Sequence, residues 1–293
     1  MKILAVNTGS SSARVRAYEA ANGSIQCLWS WHGDISGSGP QLLLERILGL
    51  RPKATFDMAV HRLVHGGNEI VGPTLVDVQS KKIIRDLVPL APLHNGVCLA
   101  WLNAAEAILG PLTQQVVVPD TGFYARLPEQ SRRYALPLKL CEKLGLRRFG
   151  FHGLAHESMV RSWHTAASPA RPDVVRLISL QLGAGCSITA TVGRAPIDTS
   201  MGYTPLEGLV MATRAGDLDP GIILSLMQTG LDADRINKIL NYESGLLGLS
   251  GFSRKMEDLL SSSSKEAQSA IEVYYWDTHF GRHQPQLLTS PCR

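Results

Sequence analysis

Glycines, hydroxyls and two arginines crowd the stretch from Leu177 to Pro220. The apolar run 177–182 turns through Gly183-Ala184-Gly185. It returns as Ser187-Ile188-Thr189-Ala190-Thr191-Val192, where polar and apolar residues alternate with period two. Such a hairpin brings bare backbone N–H groups of its glycine tip close to an anion. Asp198-Thr199-Ser200, Thr204-Pro205-Leu206-Glu207-Gly208 and Thr213-Arg214-Ala215-Gly216-Asp217 follow. A lone Gly-x-Gly is most simply an ordinary hairpin turn. The density of glycine, hydroxyl and charge here points instead to phosphate handling.

Two further clusters lie upstream. Asn7-Thr8-Gly9-Ser10-Ser11-Ser12 stops an apolar strand and supplies short donors that can surround phosphate oxygens; a serine-rich β-turn is its plainer reading. His61-Arg62-Leu63-Val64-His65-Gly66-Gly67 offers a guanidinium fork for a carboxylate or phosphate. Its plainer reading is a surface salt bridge made by Arg62, with both histidines in partly buried, hydrogen-bonded structural roles. Asp120 ends the run Val116-Val117-Val118-Pro119, a favoured place for chemistry in α/β folds, although an Asx turn would use the same residue. His152 and His156 have the i, i+4 spacing of zinc ligands, but no third ligand is spaced to join them, so a metal site there is set aside.

Elements must exist to position these groups. Residues 2–6, 13–20, 25–32, 57–61 and 116–118 read as strands, and 41–50, 80–89 and 96–109 as helices, with Asn95 as a candidate cap of the last. Residues 126–150 read as a connector with one short helix. A helix begins near Leu154, 219–230, 233–241 and 264–275 are helical, and Ser244–Gly248 turns the chain.

A length of 293 residues favours two domains, and a hydrophobic content of 44% is that of a globular chain. The net charge of +4 is scattered, without the basic stripe of a nucleic-acid binder. Five dispersed cysteines without a CxxC fit free thiols in a reducing compartment. Neither a signal-peptide core nor an apolar run of membrane-spanning length occurs, so a soluble, cytoplasmic protein without membrane partners is expected.

Eight islands in order resemble the acetate kinase family: NTGSSS (7–12), HRLVHGG (61–67), LAPLHNG (90–96), DTGFY (120–124), RRFGFHG (147–153), DTSMGYTPLEGL (198–209), TRAGDLDPG (213–221) and SGLLGLSG (244–251). The resemblance implies an α/β chain with the two-domain acetate and sugar kinase/Hsp70/actin (ribonuclease H-like) fold. Its domains would be 1–149 on the carboxylate side and 150–293 on the nucleotide side, with a cleft between them and a homodimeric assembly. The implied reaction is ATP + acetate ⇌ ADP + acetyl phosphate with Mg²⁺ or Mn²⁺.

The resemblance also assigns residues. Asn7 would lie beside the metal and phosphates, with Ser10, Ser12 and Arg14 on the same phosphate side. Arg62 and Arg214 would hold the carboxylate and the transferring phosphoryl group, His152 would stabilise the transition state and Asp120 would stand near the attacking oxygen. His94 would position the acyl phosphate. Val64, Leu93, Phe151 and Pro205 would line the pocket for the acetate methyl, and Gln181, Leu182, Gly183, Ala184 and Gly185 would form the nucleotide-phosphate loop.

Departures fall on the nucleotide side. The family's Lys after the serines is Arg14, its HLGNGSS loop is Gln181–Ser187, and its Asp-Met-Arg is Lys255-Met256-Glu257. A late GGIGEN segment has no counterpart. The expectation is therefore a C-terminally truncated member whose incomplete second domain leaves the strands at 177–182 and 188–192 with an uncovered face or an unpaired edge. Two alternatives stay open: a non-catalytic, degenerate member, and a carboxylate kinase using another donor such as pyrophosphate.

Overall fold

A computed structural model describes residues 1–9, 12–35, 37, 39–50, 55–166 and 175–280. The chain divides into two compact units, Met1–Ala125 and Arg126–Arg293. Among the described residues, no helix is long and apolar enough to cross a membrane.

The first unit runs β1 (Lys2–Thr8), β2 (Ser12–Ala21), β3 (Ser24–Asp34), α1 (Pro40–Gly49), β4 (Met58–Leu63), β5 (Thr74–Leu75), α2 (Val78–Asp86), α3 (Asn95–Leu109) and β6 (Gln114–Pro119). Its sheet has the order β3-β2-β1-β4-β6-β5. The opening meander β1–β2–β3 is antiparallel, whereas β1–β4 and β4–β6 are parallel. Alternation decides which faces are buried. Leu4, Val6, Val15, Ala17 and Ala59 pack with Leu44, Ile47 and Trp101 from α1 and α3. Leu63 and Val117 pack with Ile84 of α2 and Leu102 of α3. Because β1, β4 and β6 run parallel, their C-terminal ends lie side by side, and the polar residues at those ends are brought together.

The second unit runs α4 (Glu129–Arg132), α5 (Leu138–Leu144), α6 (Gly153–Ala166), β7 (Arg176–Leu182), β8 (Cys186–Val192), β9 (Ala195–Thr199), α7 (Pro220–Gln228), α8 (Ala233–Lys238), α9 (Gly245–Ser250), α10 (Met256–Leu260) and α11 (Lys265–Phe280). Its antiparallel sheet has the order β7-β8-β9. Among the described strands β7 pairs with β8 alone, and Leu180 and Leu182 on this edge are exposed. Residues 244–248 were expected to turn the chain; instead Gly245–Ser250 is helical, and Gly245 enters it at φ 61°, a conformation that favours glycine.

Residues 126–149, read from sequence as part of a domain ending at 149, lie in the second unit. They hold two short helices rather than one, and polar contacts tie them there. Ser131 Oγ donates to Ile197 O at 2.7 Å, and Arg148 binds Thr199 O and the Glu207 carboxylate. The Glu207 carboxylate also accepts from the Tyr134 hydroxyl, which in turn accepts from Tyr203 N at 2.7 Å.

Candidate functional site

In the first unit three neighbouring strand ends build one polar cluster. Asn7 lies at the end of β1, Arg62 near the end of β4, and Asp120 directly after β6 in a 3₁₀ turn. Arg62 Nε donates to both Asp120 oxygens, at 3.1 and 3.2 Å, and a second guanidinium nitrogen reaches Oδ2 at 2.6 Å. The remaining branch points at Asn7 Oδ1, 3.4 Å away. Asp120 is 1% exposed, while the Arg62 side chain keeps 20% of its surface in solvent. Burial works against the Arg62 charge, but the charge and hydrogen bonds of Asp120 outweigh it and leave its pKa raised. The result is a fixed cation with an accessible edge.

His61 lies one residue away on the opposite face of β4, aligned with buried Ala59 and Leu63. It is 1% exposed, and burial pushes its pKa down to about 4, opposed in part by the nearby Gln115 side chain. Neither ring nitrogen of His61 nor Gln115 Oε1 has a hydrogen-bond partner among the described residues. Alternation thus separates the two polar neighbours: Arg62 faces the strand-end cluster, and His61 lies in the core as a neutral ring.

The turn after β4 is held tightly. Gly66 N donates to Thr121 Oγ1 at 3.1 Å, and a Cβ on Gly66 would fall 2.0 Å from the Ile70 carbonyl oxygen. Asn95 does not cap α3, as the sequence led one to expect. Fully buried, its amide clasps the backbone of His65, accepting from His65 N at 3.1 Å and donating to His65 O at 3.0 Å, while His94 takes the cap position. Thr121 and Asn95 are therefore supports that sequence reading missed; only their adjacency to Asp120 and His94 marks them.

Of the other residues expected in this unit, Val64 is buried just past β4, and Leu93 and His94 are half-buried on the turn into α3. Arg14 is exposed on β2, directly opposite Asn7 in the register. Ser12 opens β2, and its carbonyl accepts from Gly9 N at 2.7 Å. Ser10 lies outside the described residues.

In the second unit the hairpin tip between β7 and β8 meets His152 and Arg214. A Cβ on Gly185 would stand 3.3 Å from His152 Cε1 and Nε2 and 3.5 Å from an Arg214 guanidinium nitrogen. Glycine therefore keeps open a space that a side chain would crowd, and two nitrogen-rich groups border it. Gly183 N donates to Gly185 O at 3.2 Å, and Ala212 N donates to Ala184 O at 3.0 Å, tying the Arg214 loop to the tip. Arg214, 7% exposed, is oriented by a 3.1 Å bond to Pro205 O. Pro205 and Phe151 are both buried. Leu182, Gly183 and Ala184 are exposed, and the amide of half-buried Gln181 lies over the tip, 3.9 Å from a Cβ on Gly183.

His152 sits at φ 57°, in the left-handed region between Phe151 and the start of α6. Its Nδ1 lies 2.9 Å from Ser187 Oγ. Ser187 is bonded in turn to His156 Nε2 at 2.8 Å, and His156 Nδ1 to Ser179 Oγ at 2.7 Å. His156 is thus committed to two serines. The i, i+4 histidine pair and the polar face of β8 were visible in the sequence, but their connection was not.

The chain is similar to known proteins in sequence and fold. The acetokinase family model matches residues 42–287. The acetate kinase of Chloroherpeton thalassium is 41% identical over 233 residues, covering 78% of this chain and 56% of that protein. That of a Synechococcus strain is 35% identical, covering 94% of this chain and 77% of its own length. Among solved structures, Porphyromonas gingivalis acetate kinase superposes with a TM-score of 0.74 at 32% identity, covering 94% of this chain and 77% of that one. A propionate kinase from Francisella tularensis gives 0.81 at 30% identity, with 93% and 77% covered. The chain thus has the fold of these kinases, while the leading curated matches are spanned over only 56% and 62% of their length.

Proposed function

The chain belongs to the acetokinase family, and on that footing we propose that it is an acetate kinase, transferring the terminal phosphoryl group of ATP to acetate. The observation that carries this reading is the space kept open by Gly185 between His152 and Arg214. Phosphoryl transfer spreads negative charge over equatorial oxygens, so fixed cationic donors around such a space are the main catalytic need.

In this reading Arg62 presents its accessible edge to the acetate carboxylate, which is already ionised and needs no strong base. Asp120, with both oxygens held by Arg62, fixes that guanidinium rather than accepting a proton. Val64, Leu93, Phe151 and Pro205 receive the methyl group and His94 positions the acyl phosphate. The tip Gln181–Gly185 receives nucleotide phosphates, with Ser10, Ser12 and Arg14 on the phosphate side. Arg214 and His152 meet the charge that develops on the transferred group.

A divalent metal fits the donor set. Mg²⁺ takes one or two protein oxygens and completes its shell with water and phosphate. Asn7 Oδ1 would be the protein oxygen that holds it, with Asp120 on the metal side of the cluster and kept in place by Arg62. Bound there, the ion would neutralise charge on the nucleotide phosphates.

A cytoplasmic homodimer fits the reading. Helix α7 buries none of its residues and exposes Ile222, Leu224 and Met227, an apolar surface suited to association. The comparisons favour neither a non-catalytic chain nor another phosphoryl donor.

The test is formation of acetyl phosphate, trapped as the hydroxamate, by the purified chain given acetate, Mg²⁺ and either ATP or pyrophosphate. The ATP-dependent product is expected. Its absence with ATP, from folded protein, would overturn the proposal.

A further inference from the structure

Behind His152 runs a chain of hydrogen bonds that ends on a group able only to accept. Ser179 Oγ lies 3.4 Å from the carbonyl oxygen of Thr189, which can only accept, so the direction in which Ser179 donates there is the one that makes every bond of the chain. The Ser179 oxygen then accepts from His156 Nδ1 across 2.7 Å. With its proton on Nδ1, neutral His156 presents a bare Nε2, which accepts the Ser187 hydroxyl proton across 2.8 Å. Ser187 has then spent its only proton, and its oxygen accepts from His152 Nδ1 across 2.9 Å. Ser179, His156 and Ser187 are buried to within 5% of full burial, so bulk water does not interrupt the sequence.

We propose that Ser187, backed by His156 and Ser179, is a positioning residue that holds a proton on His152 Nδ1 and so leaves Nε2 as the atom facing Gly185. This rests on the reading of His152 as the group that meets the transferring phosphoryl. Its consequence is specific. Neutral His152 offers a lone pair, not a donor, toward Gly185, and becomes a donor there only as an imidazolium. The same Ser187 oxygen then supports that cation through Nδ1–H. Proton occupancy at Nε2 thus switches the ring between acceptor and cationic donor without any movement of the ring.

The test is long-range ¹H–¹⁵N correlation spectroscopy of the full chain labelled with ¹⁵N, with His152 assigned by the loss of its signals in His152→Gln. Above about pH 8, where an ordinary imidazole is neutral, the wild-type protein is expected to show His152 protonated at Nδ1 and bare at Nε2. Ser187→Ala should mix or reverse that tautomer, and Ser187→Thr, which keeps the hydroxyl, should restore it. In kinetics, Ser187→Ala should lower kcat by about 10–100-fold, the range of one positioned catalytic group, with KM for acetate little changed. A wild-type ring protonated at Nε2, or a Ser187→Ala protein with unaltered tautomer, would overturn the proposal even if that variant folds poorly, because the first result needs no variant. Lack of kinase activity with the expected tautomer would defeat the functional reading and leave this assignment standing.

Discussion

Gly185 faces the His152 imidazole so closely that a Cβ there would stand 3.3 Å from both Cε1 and Nε2. Its backbone does not need the left-handed region, so alanine fits the chain and crowds only the ring and Arg214. Gly185→Ala should therefore leave the melting temperature nearly unchanged. It should cut kcat by about 10²-fold, the usual cost of displacing a reacting group by a fraction of an ångström to an ångström. Thermal denaturation beside steady-state kinetics checks the split.

The Arg62–Asp120 pair predicts a difference between charge and shape. Asp120→Asn leaves a partly buried guanidinium facing a neutral amide. The expected stability loss is about 1–3 kcal/mol, below the range for a fully buried pair because Arg62 keeps an edge in water. Arg62→Lys should not rescue carboxylate binding, since an ammonium cannot reproduce the fork. Urea melts and the KM for acetate read the two effects separately.

His61 gives the stability curve an acid limb. Its folded pKa of about 4 lies below the ordinary 6.5, chiefly through burial. Between these values the unfolded chain binds the proton and the folded one does not. This contribution is fully present above pH 6.5 and is lost as pH falls toward 4. The loss is about 1.4 kcal/mol per pH unit, or about 3 kcal/mol in all. Denaturant midpoints measured from pH 7.5 to 4 should show this slope, and His61→Leu should remove it.

The pocket proposal predicts the acid. With Val64 in place acetate should be preferred, propionate tolerated and butyrate poor, because one methylene shifts such a preference by about 1–3 kcal/mol. Val64→Ala should move the ratio of kcat/KM values toward propionate. An unchanged ratio would remove Val64 from the pocket.

Much of this arrangement was legible because it rests on local patterns. The apolar run at 2–6 and the period-two runs at 13–20 and 187–192 marked β1, β2 and β8, and a glycine tip marked the turn between β7 and β8. Strand β9, Ala195-Pro196-Ile197-Asp198-Thr199, was missed: it is short, contains a proline, and its polar end Asp198-Thr199 resembles a turn. The affiliation of 126–149 was hidden because its polar anchors, Arg148 to Glu207 and Ser131 to Ile197, span 59 and 66 residues. Asn95 misled for the opposite reason. Its type and place suit a helix cap, but a buried backbone segment 30 residues earlier claimed its amide. Periodicity reports which face is buried and is silent on which distant partner a buried polar group will find.

The φ of 57° at His152 sets the folding of this chain against its chemistry. A side-chain-bearing residue held in the left-handed region costs roughly 1–2 kcal/mol, a cost that glycine avoids and asparagine lessens. A screen that rewarded only heat resistance would therefore be drawn to replace His152 and would enrich stable, silent variants. An engineered library of this chain needs its activity selection applied before its stability selection, or the residue facing Gly185 will be among the early losses.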